Sequence, residues 1–396
     1  MERDLIMSLP EFSNSQQLQE ILLAEIKDSP TKQITFADYM ALALYHPQYG
    51  YYTSRVEIGS KGDFFTSASL GSDFGELLAI QFMQMWHKLD CPNPFYLIEM
   101  GAGNGESTQD ILLYLRTHGE AALLDALNYI IIERSPHLIE QQQSLLQSLK
   151  DFEIHWQDWD DLADESIEGC FFSNELIDAF PVHIVEKQQQ LTEIYLTVQN
   201  NELTEISDRL SADKLTEYFE TIEIDLLQQQ YPEGYRTEVN LAALDWLETV
   251  ATKLKRGYLL TIDYGYSAEK YYRPARNLGT LQCYYQHRRH NNPYANLGHQ
   301  DITAHVNFTA LERYGELHQL QKVGFTQQGL FLMALGLGDR LNELSSGKFD
   351  PTEIFKRRDA LHQLIDPTGL GGFGVLIQSK NLAKATSLQG LAVPTL

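Results

Sequence analysis

The chain is short of cysteine, of positive charge and of long apolar runs, and each shortage closes a class of function. Its three cysteines, Cys91, Cys170 and Cys283, lie far apart and form no CxxC pair. Neither a disulfide framework nor a zinc cluster is expected, and a reducing compartment fits. Thirty Lys and Arg stand against 54 Asp and Glu, a formal charge of −24 that repels a phosphate backbone or an anionic bilayer. No nucleic acid partner is therefore expected. No apolar stretch reaches the roughly 18 residues of a membrane helix; the run Phe331 to Leu335 stops at Gly336. Membrane insertion is not expected either. The N-terminal residues, with Glu2, Asp4 and Glu11, show neither an apolar signal core nor an arginine-rich presequence, which makes the cytoplasm the expected location. What remains is 396 residues, 43% of them apolar, enough for one dominant core with appended or inserted pieces.

Apolar residues at helical spacing in Leu18 to Lys27 and Phe36 to Tyr45, then the loop Tyr49 to Tyr52 and the stretch Lys61 to Ser67, predict a helical lead-in over residues 1–92. A capped amphipathic helix starts near Asp73. From Phe95 short apolar runs alternate with helical segments about thirty residues apart, the pattern of a parallel sheet with crossover helices. Strands are predicted at Phe95 to Met100, Tyr129 to Glu133, Glu153 to Trp156, Gly169 to Ser173 and Gly257 to Asp263. The helices between them are Thr108 to Arg116, Pro136 to Leu149 with Ser135 as N-cap, part of Ile177 to Phe180, and Ala242 to Leu254. Residues 93–265 form this core, with antiparallel strands near 183–235 attached at the sheet edge. Residues 266–307, dense in Tyr, Arg, His and Asn, read as an insertion beside a site. Residues 308–380 supply a helix from Phe308 and two closing strands, Gly329 to Leu335 and Phe373 to Lys380; residues 381–396 are a tail.

The sharpest local signal is Glu99-Met100-Gly101-Ala102-Gly103-Asn104-Gly105-Glu106, a strand running through glycines into a helix. Such a turn brings bare main chain and a helix start to a ligand. A dinucleotide would want GxGxxG, but here the order is GxGxG and the sixth position is Glu106, which disfavours a pyrophosphate. S-adenosylmethionine, with a carboxylate, a cationic amine and a sulfonium but no phosphate, suits a turn flanked by Glu99 better. A tight turn without ligand is the plain alternative. Glu133, at the end of the second strand, is placed to accept from both ribose hydroxyls. Asp158 and Trp159, after the third, are placed to meet the adenine amino group and cover the ring; a turn in an acidic loop is the alternative. The fourth strand ends in Asn174-Glu175-Leu176-Ile177-Asp178. A carboxylate pair three residues apart can hold a guanidinium through forked hydrogen bonds and relieve it of a proton, although Asp178 would equally serve a helix start. His305 is the candidate proton acceptor, against a packed or surface role. The basic run His287 to His290 reads as a solvated loop and Asn291 to Tyr294 as a turn.

Taken together the stretches ALYHPQYGYYTS, KGDFFTS, FGELLA, IEMGAGNGE, IERSPHL, SNELIDAFPVH, LLTIDYG, QDITAHVNFTAL and QQGLFLMALGLGDRL resemble the MidA family of class I methyltransferases over about Phe36 to Leu341. The resemblance implies an α/β, Rossmann-like, mainly parallel seven-stranded sheet with an N-terminal helical lead-in and a lid-like insertion. It implies S-adenosyl-L-methionine as cofactor, bound through the glycine turn Gly101, Ala102, Gly103 and Gly105 and through Glu133, and an acceptor side over Asn174 to Pro181; Glu99, Asp158, Trp159 and Asn174 join the expected cofactor residues on the strand-end reading of the residues themselves. The family's mitochondrial member, a complex I assembly factor, forms symmetric dimethylarginine on a respiratory subunit, which makes a protein arginine, on a complex I-type subunit or another protein, the implied acceptor. A homodimer is one candidate state. Two rival readings stand beside it: an assembly chaperone that keeps the fold without turnover, and an NAD-dependent dehydrogenase. Asn307 stands where the family often carries Asp and cannot act as a base. Leu176 and Ile177 stand where aromatic residues are frequent.

Overall fold

A computed structural model describes residues 9–54, 66–200, 202–286, 288–345, 349–382 and 387–393, with side chains from Ser15 onward. The loop at Lys61 to Phe65 and His287 lie outside the described residues. The chain divides into two compact units. One draws on Met1–Glu57, Ala179–Ala242 and Tyr272–Ala304, the other on Ile58–Asp178, Ala243–Tyr271 and His305–Leu396.

The second unit is built on a seven-stranded sheet. Its strands are β1 (Phe95–Met100), β2 (Leu127–Ile132), β3 (Glu153–Gln157), β4 (Ile167–Asn174), β5 (Leu254–Asp263), β6 (Gln321–Gln327) and β7 (Gly374–Lys380), in the order β6-β7-β5-β4-β1-β2-β3. The pairs from β5 to β3 are parallel, whereas β7 runs antiparallel to both β5 and β6. The sheet is therefore mixed, six strands one way and one reversed. The parallel pairs are bridged by helices because parallel neighbours need a crossover. Helix α1 (Asp73–Lys88) precedes β1. Between the strands come α2 (Glu106–His118), α3 (Pro136–Leu146) and α4 (Leu241–Lys253), and α5 (Phe308–Leu317) leads into β6. Ser135 accepts from the Leu138 amide and Pro136 occupies the first turn of α3, as the sequence predicts. Phe74, Phe82 and Trp86 of α1, Leu112 of α2, and Tyr129, Phe172 and Leu260 of the sheet are buried in one core, and this burial is the main stabilising term.

Two expectations are corrected. Gly329 to Leu335 is not a strand: Gln328–Ala334 forms helix α6, and the strand is the more polar segment before it, β6. An apolar run of seven fits either period, and β6 is an edge strand that leaves much of its side-chain surface in water. The segment near 183–235 does form antiparallel strands, but not at the edge of the seven-stranded sheet. His183–Lys187, Leu191–Gln199, Glu202–Asp208 and Arg236–Val239 pair with one another and with Gln33–Thr35 in a sheet of their own in the first unit. Within 266–307 the first unit also holds a small sheet of Gln282–Tyr285, Arg288–His290 and Asp301–Thr303.

Candidate active site

Every candidate site residue falls in the second unit, and most sit where parallel strands end, the place an open α/β sheet offers a ligand. β1 ends at Met100, and Gly101, Gly103 and Gly105 follow with φ of +70°, +57° and +88°, a run of left-handed backbone that side chains resist. The cleared space at two of the three is filled by the protein itself. A Cβ on Gly101 would lie 2.8 Å from Leu176 Cδ1, and one on Gly105 3.3 Å from Gln142 Cγ. Ala102 is buried.

Glu99 does not face outward. Its carboxylate is buried and accepts from the Thr108 hydroxyl of α2 and, at 2.6 Å, from Tyr129 of β2. Burial pushes its pKa up to about 7, opposed by those two bonds. It thus ties β1 to α2 and β2 beneath the turn. Glu133 accepts from the main-chain amides of Arg134 and Ser135 on Oε1, both at 2.9 Å, and from Gln142 Nε2 on Oε2 at 3.3 Å. Burial raises its pKa and the same bonds oppose it. Oε2, with the longest contact, is the oxygen best able to accept a hydroxyl. Asp158 is exposed at the start of the turn Trp159–Asp161, where its amide donates to Asp161 Oδ2 at 2.9 Å. The Trp159 ring stacks on Phe171, centroids 6.0 Å apart.

Where β4 and β5 end, three carboxyls, of Glu175, Asp178 and Asp263, lie near one another. Glu175 follows β4 in left-handed backbone, φ +52°, the kind of conformation that persists only where surroundings over-determine it. Its amide donates to Ile262 at 2.9 Å, and its Oε1 accepts from the Ser67 amide at 3.0 Å and from Asn174 Nδ2 at 3.2 Å. Asp263, at the end of β5, is fully buried and accepts from the amides of Ile177, Asp178 and Tyr264 at 2.9, 3.3 and 2.8 Å. It therefore fixes the turn that carries Asp178. Burial, and then the charge of Asp178, push Glu175 up to about 8. Burial and the charges of Asp178 and Glu175 push Asp263 well above the carboxylate range. His305 is held between two rings: Tyr266 lies parallel at 5.0 Å and Tyr264, next to Asp263, meets it edge-on at 5.0 Å.

The structure brings together Asn174, Glu175, Asp178 and the unforeseen Asp263, and separately the glycine turn and Glu133. It places His305 beside the residue after Asp263. Two residues were missed. Asp263 stands in LLTIDYG at a strand end, the signal already used for Glu133, and could have been found by it. Gln142 is one glutamine in a run of three, and nothing in the sequence tells which one points inward. Asn307 caps α5, accepting from the Ala310 amide at 3.3 Å, a task Asn performs as well as Asp.

S-adenosylmethionine fits this donor set. The Asn174 Oδ1 is buried with no hydrogen-bond partner among the described residues, the turn offers left-handed backbone, and acids on both sides suit an amine and a sulfonium. Among the described residues no group of His, Cys, Asp and Glu could hold a metal ion, and no helix is long and apolar enough to cross a membrane.

A family described as "Putative S-adenosyl-L-methionine-dependent methyltransferase" matches residues 77–326. A Drosophila melanogaster relative named protein arginine methyltransferase NDUFAF7 homolog, mitochondrial, is 28% identical over 86% of this chain and 80% of its own. The Homo sapiens protein arginine methyltransferase NDUFAF7, mitochondrial, is 27% identical over 88% and 80%. A solved methyl-transferase candidate from Burkholderia thailandensis, bound to S-adenosyl-homocysteine, superposes with a TM-score of 0.83 at 28% identity over 98% of this chain and 97% of that one.

Proposed function

Because the chain belongs to this family of S-adenosyl-L-methionine-dependent methyltransferases, we propose that its acceptor is a guanidinium nitrogen of a protein arginine, held by Glu175 and Asp178. The observation that supports this is the meeting of Glu175, Asp178 and Asp263 in one water-poor place, where the charge of Asp178 opposes the ionisation of Glu175 and both oppose that of Asp263. A planar cation with forked donors relieves that repulsion better than any neutral acceptor. The mitochondrial relatives' names point to the same acceptor for those proteins.

The bound cofactor supplies a methyl group already activated on a sulfonium sulfur. The residues proposed for its site are the glycine turn Gly101 to Gly105, Glu99 beneath it, Glu133 for the ribose, Asp158 and Trp159 for the adenine, and Asn174 for the amine. The acceptor residues orient the nitrogen lone pair and hold the guanidinium still, which is where most of the rate is gained. As nitrogen gains the methyl and sulfur keeps the bonding pair, one proton leaves the guanidinium. Glu175, Asp178 or His305 takes it. A subunit of respiratory complex I is the first acceptor to try, on the family resemblance.

The test is to incubate the purified chain with cofactor carrying a radioactive methyl and with cell lysate, then to hydrolyse the labelled band. Label in methylarginine supports the reading. Label in another residue overturns the acceptor. Cofactor binding with no labelled band under any condition leaves a chaperone.

A further inference from the structure

Helix α3 carries a glutamine, Gln142, whose side chain is fully buried and whose hydrogen-bonding atoms all reach other strand-end segments. Its Nε2 donates to the Gly103 carbonyl at 2.8 Å and to Glu133 Oε2 at 3.3 Å, while its Oε1 accepts from Trp156 Nε1 at 2.8 Å. One amide thus joins the turn after β1, the acid after β2 and the indole of β3. The missing side chain of Gly105 leaves room for it, since a Cβ there would sit 3.3 Å from Gln142 Cγ and 3.5 Å from its Cα. No other residue type of similar size makes this set. Glutamate would turn an acceptor toward a carbonyl and a carboxylate. Methionine fills the space but removes the partner of the Gly103 carbonyl, Glu133 Oε2 and Trp156 Nε1.

We propose that Gln142 is a positioning residue for the cofactor's ribose, holding the Glu133 carboxylate and the glycine-turn main chain in one frame so that recognition of the hydroxyls depends on it. This rests on the reading of Glu133 as the ribose acceptor. Glu133 has two main-chain amides on Oε1, so the direction of Oε2 is set by Gln142, its one partner there among the described residues. A residue that only packed the helix would affect every ligand of the pocket alike. A residue that aims a carboxylate affects ligands bearing the hydroxyls more than ligands lacking them.

The experiment is calorimetric titration of the full chain with S-adenosylhomocysteine and with its 2′,3′-dideoxy analogue, for the native protein, Glu133→Gln, Gln142→Met, Gln142→Glu and the Glu133→Gln/Gln142→Met pair. The native protein is expected to prefer the hydroxylated ligand by about 10-fold to 100-fold. Glu133→Gln should erase most of that preference. Both Gln142 variants should shrink it to within about 3-fold of unity, and the double variant should lose little more than either single one. Thermal melts of the ligand-free variants check that each is folded. If Glu133→Gln keeps the native preference, the ribose assignment fails and the proposal with it. If Glu133→Gln loses the preference but Gln142→Met or Gln142→Glu keeps it, the assignment stands and the positioning role is overturned.

Discussion

Glu186 and Glu175 are strand-end glutamates held away from water, one in each unit, and the protein treats them oppositely. Around Glu186 burial pushes the pKa up, but bonds from Gln188 and from Arg236 Nε, the latter at 2.6 Å, more than reverse it. Arg236 also reaches Glu205 at 2.6 Å, and Glu205 accepts from the Tyr294 hydroxyl. Asp73 of the second unit also meets arginine, with Arg357 on both its oxygens at 2.7 and 2.8 Å and Arg340 beside them. Around Glu175 burial and the charge of Asp178 push the pKa up to about 8, against the bonds from the Ser67 amide and Asn174. The acids at Glu186 and Asp73 are held by arginine, whereas Glu175 is held by the neutral donors Ser67 N–H and Asn174 Nδ2 beside a second acid. On the proposed reading, that imbalance is what an incoming guanidinium would relieve.

That contrast can be attacked from several directions. The largest effect is expected at the cofactor turn, where Gly103→Val sets a branched side chain at φ +57°. Titration should show at least about a 100-fold loss of S-adenosylhomocysteine affinity. Glu175→Gln keeps an acceptor for the Ser67 amide while removing the charge. It should leave that affinity within about 3-fold and lower transfer to a protein acceptor by about 100-fold, read with radioactive methyl at saturating cofactor. Equal loss of affinity in both variants would contradict the division between donor and acceptor sides. Arg236→Met should do the reverse of Glu175→Gln. It strands Glu186 and Glu205, costs about 1–3 kcal/mol and lowers the melting temperature by several degrees, with ligand affinity unchanged.

The smallest effect is on pH. A raised carboxyl pKa means that the folded chain holds the proton more tightly than the unfolded one. The associated stability is complete below the ordinary value of 4.5 and drains as pH rises through about 7 for Glu99 and about 8 for Glu175. Without ligand, the melting temperature should therefore fall by about 3 °C or more between pH 6 and pH 9, and Glu175→Gln should flatten part of that slope. A melt unchanged over this range would show that the acids are not desolvated as drawn.

Most of the sheet was legible because its strands are continuous apolar runs between helices with ordinary caps, and Phe95–Met100 falls on the expected residues. β6 was not legible, since an edge strand of mixed polarity with a glycine in its middle carries neither period clearly, while the apolar run after it does. The separate antiparallel sheet was hidden for another reason: Gln33–Thr35 is three residues long and pairs with Leu191–Gln199 across more than 150 residues of chain. Strand pairing over such a distance leaves no mark in local sequence. The site divides in the same way. Glycines and acids at strand ends announce themselves by type and place. Gln142 and the Asp263 contacts with Ile177 and Asp178 depend on which way a side chain turns.

Leu176 occupies the volume that a Cβ on residue 101 would need, and it belongs to the same short segment as Glu175 and Asp178. An alanine at position 101 would consequently push first on the acid-bearing segment. On the proposed reading, the first glycine of the turn is thus as much a spacer for the nucleophile's seat as a cradle for the donor, and a side chain at that one position would be felt on both sides of the reaction.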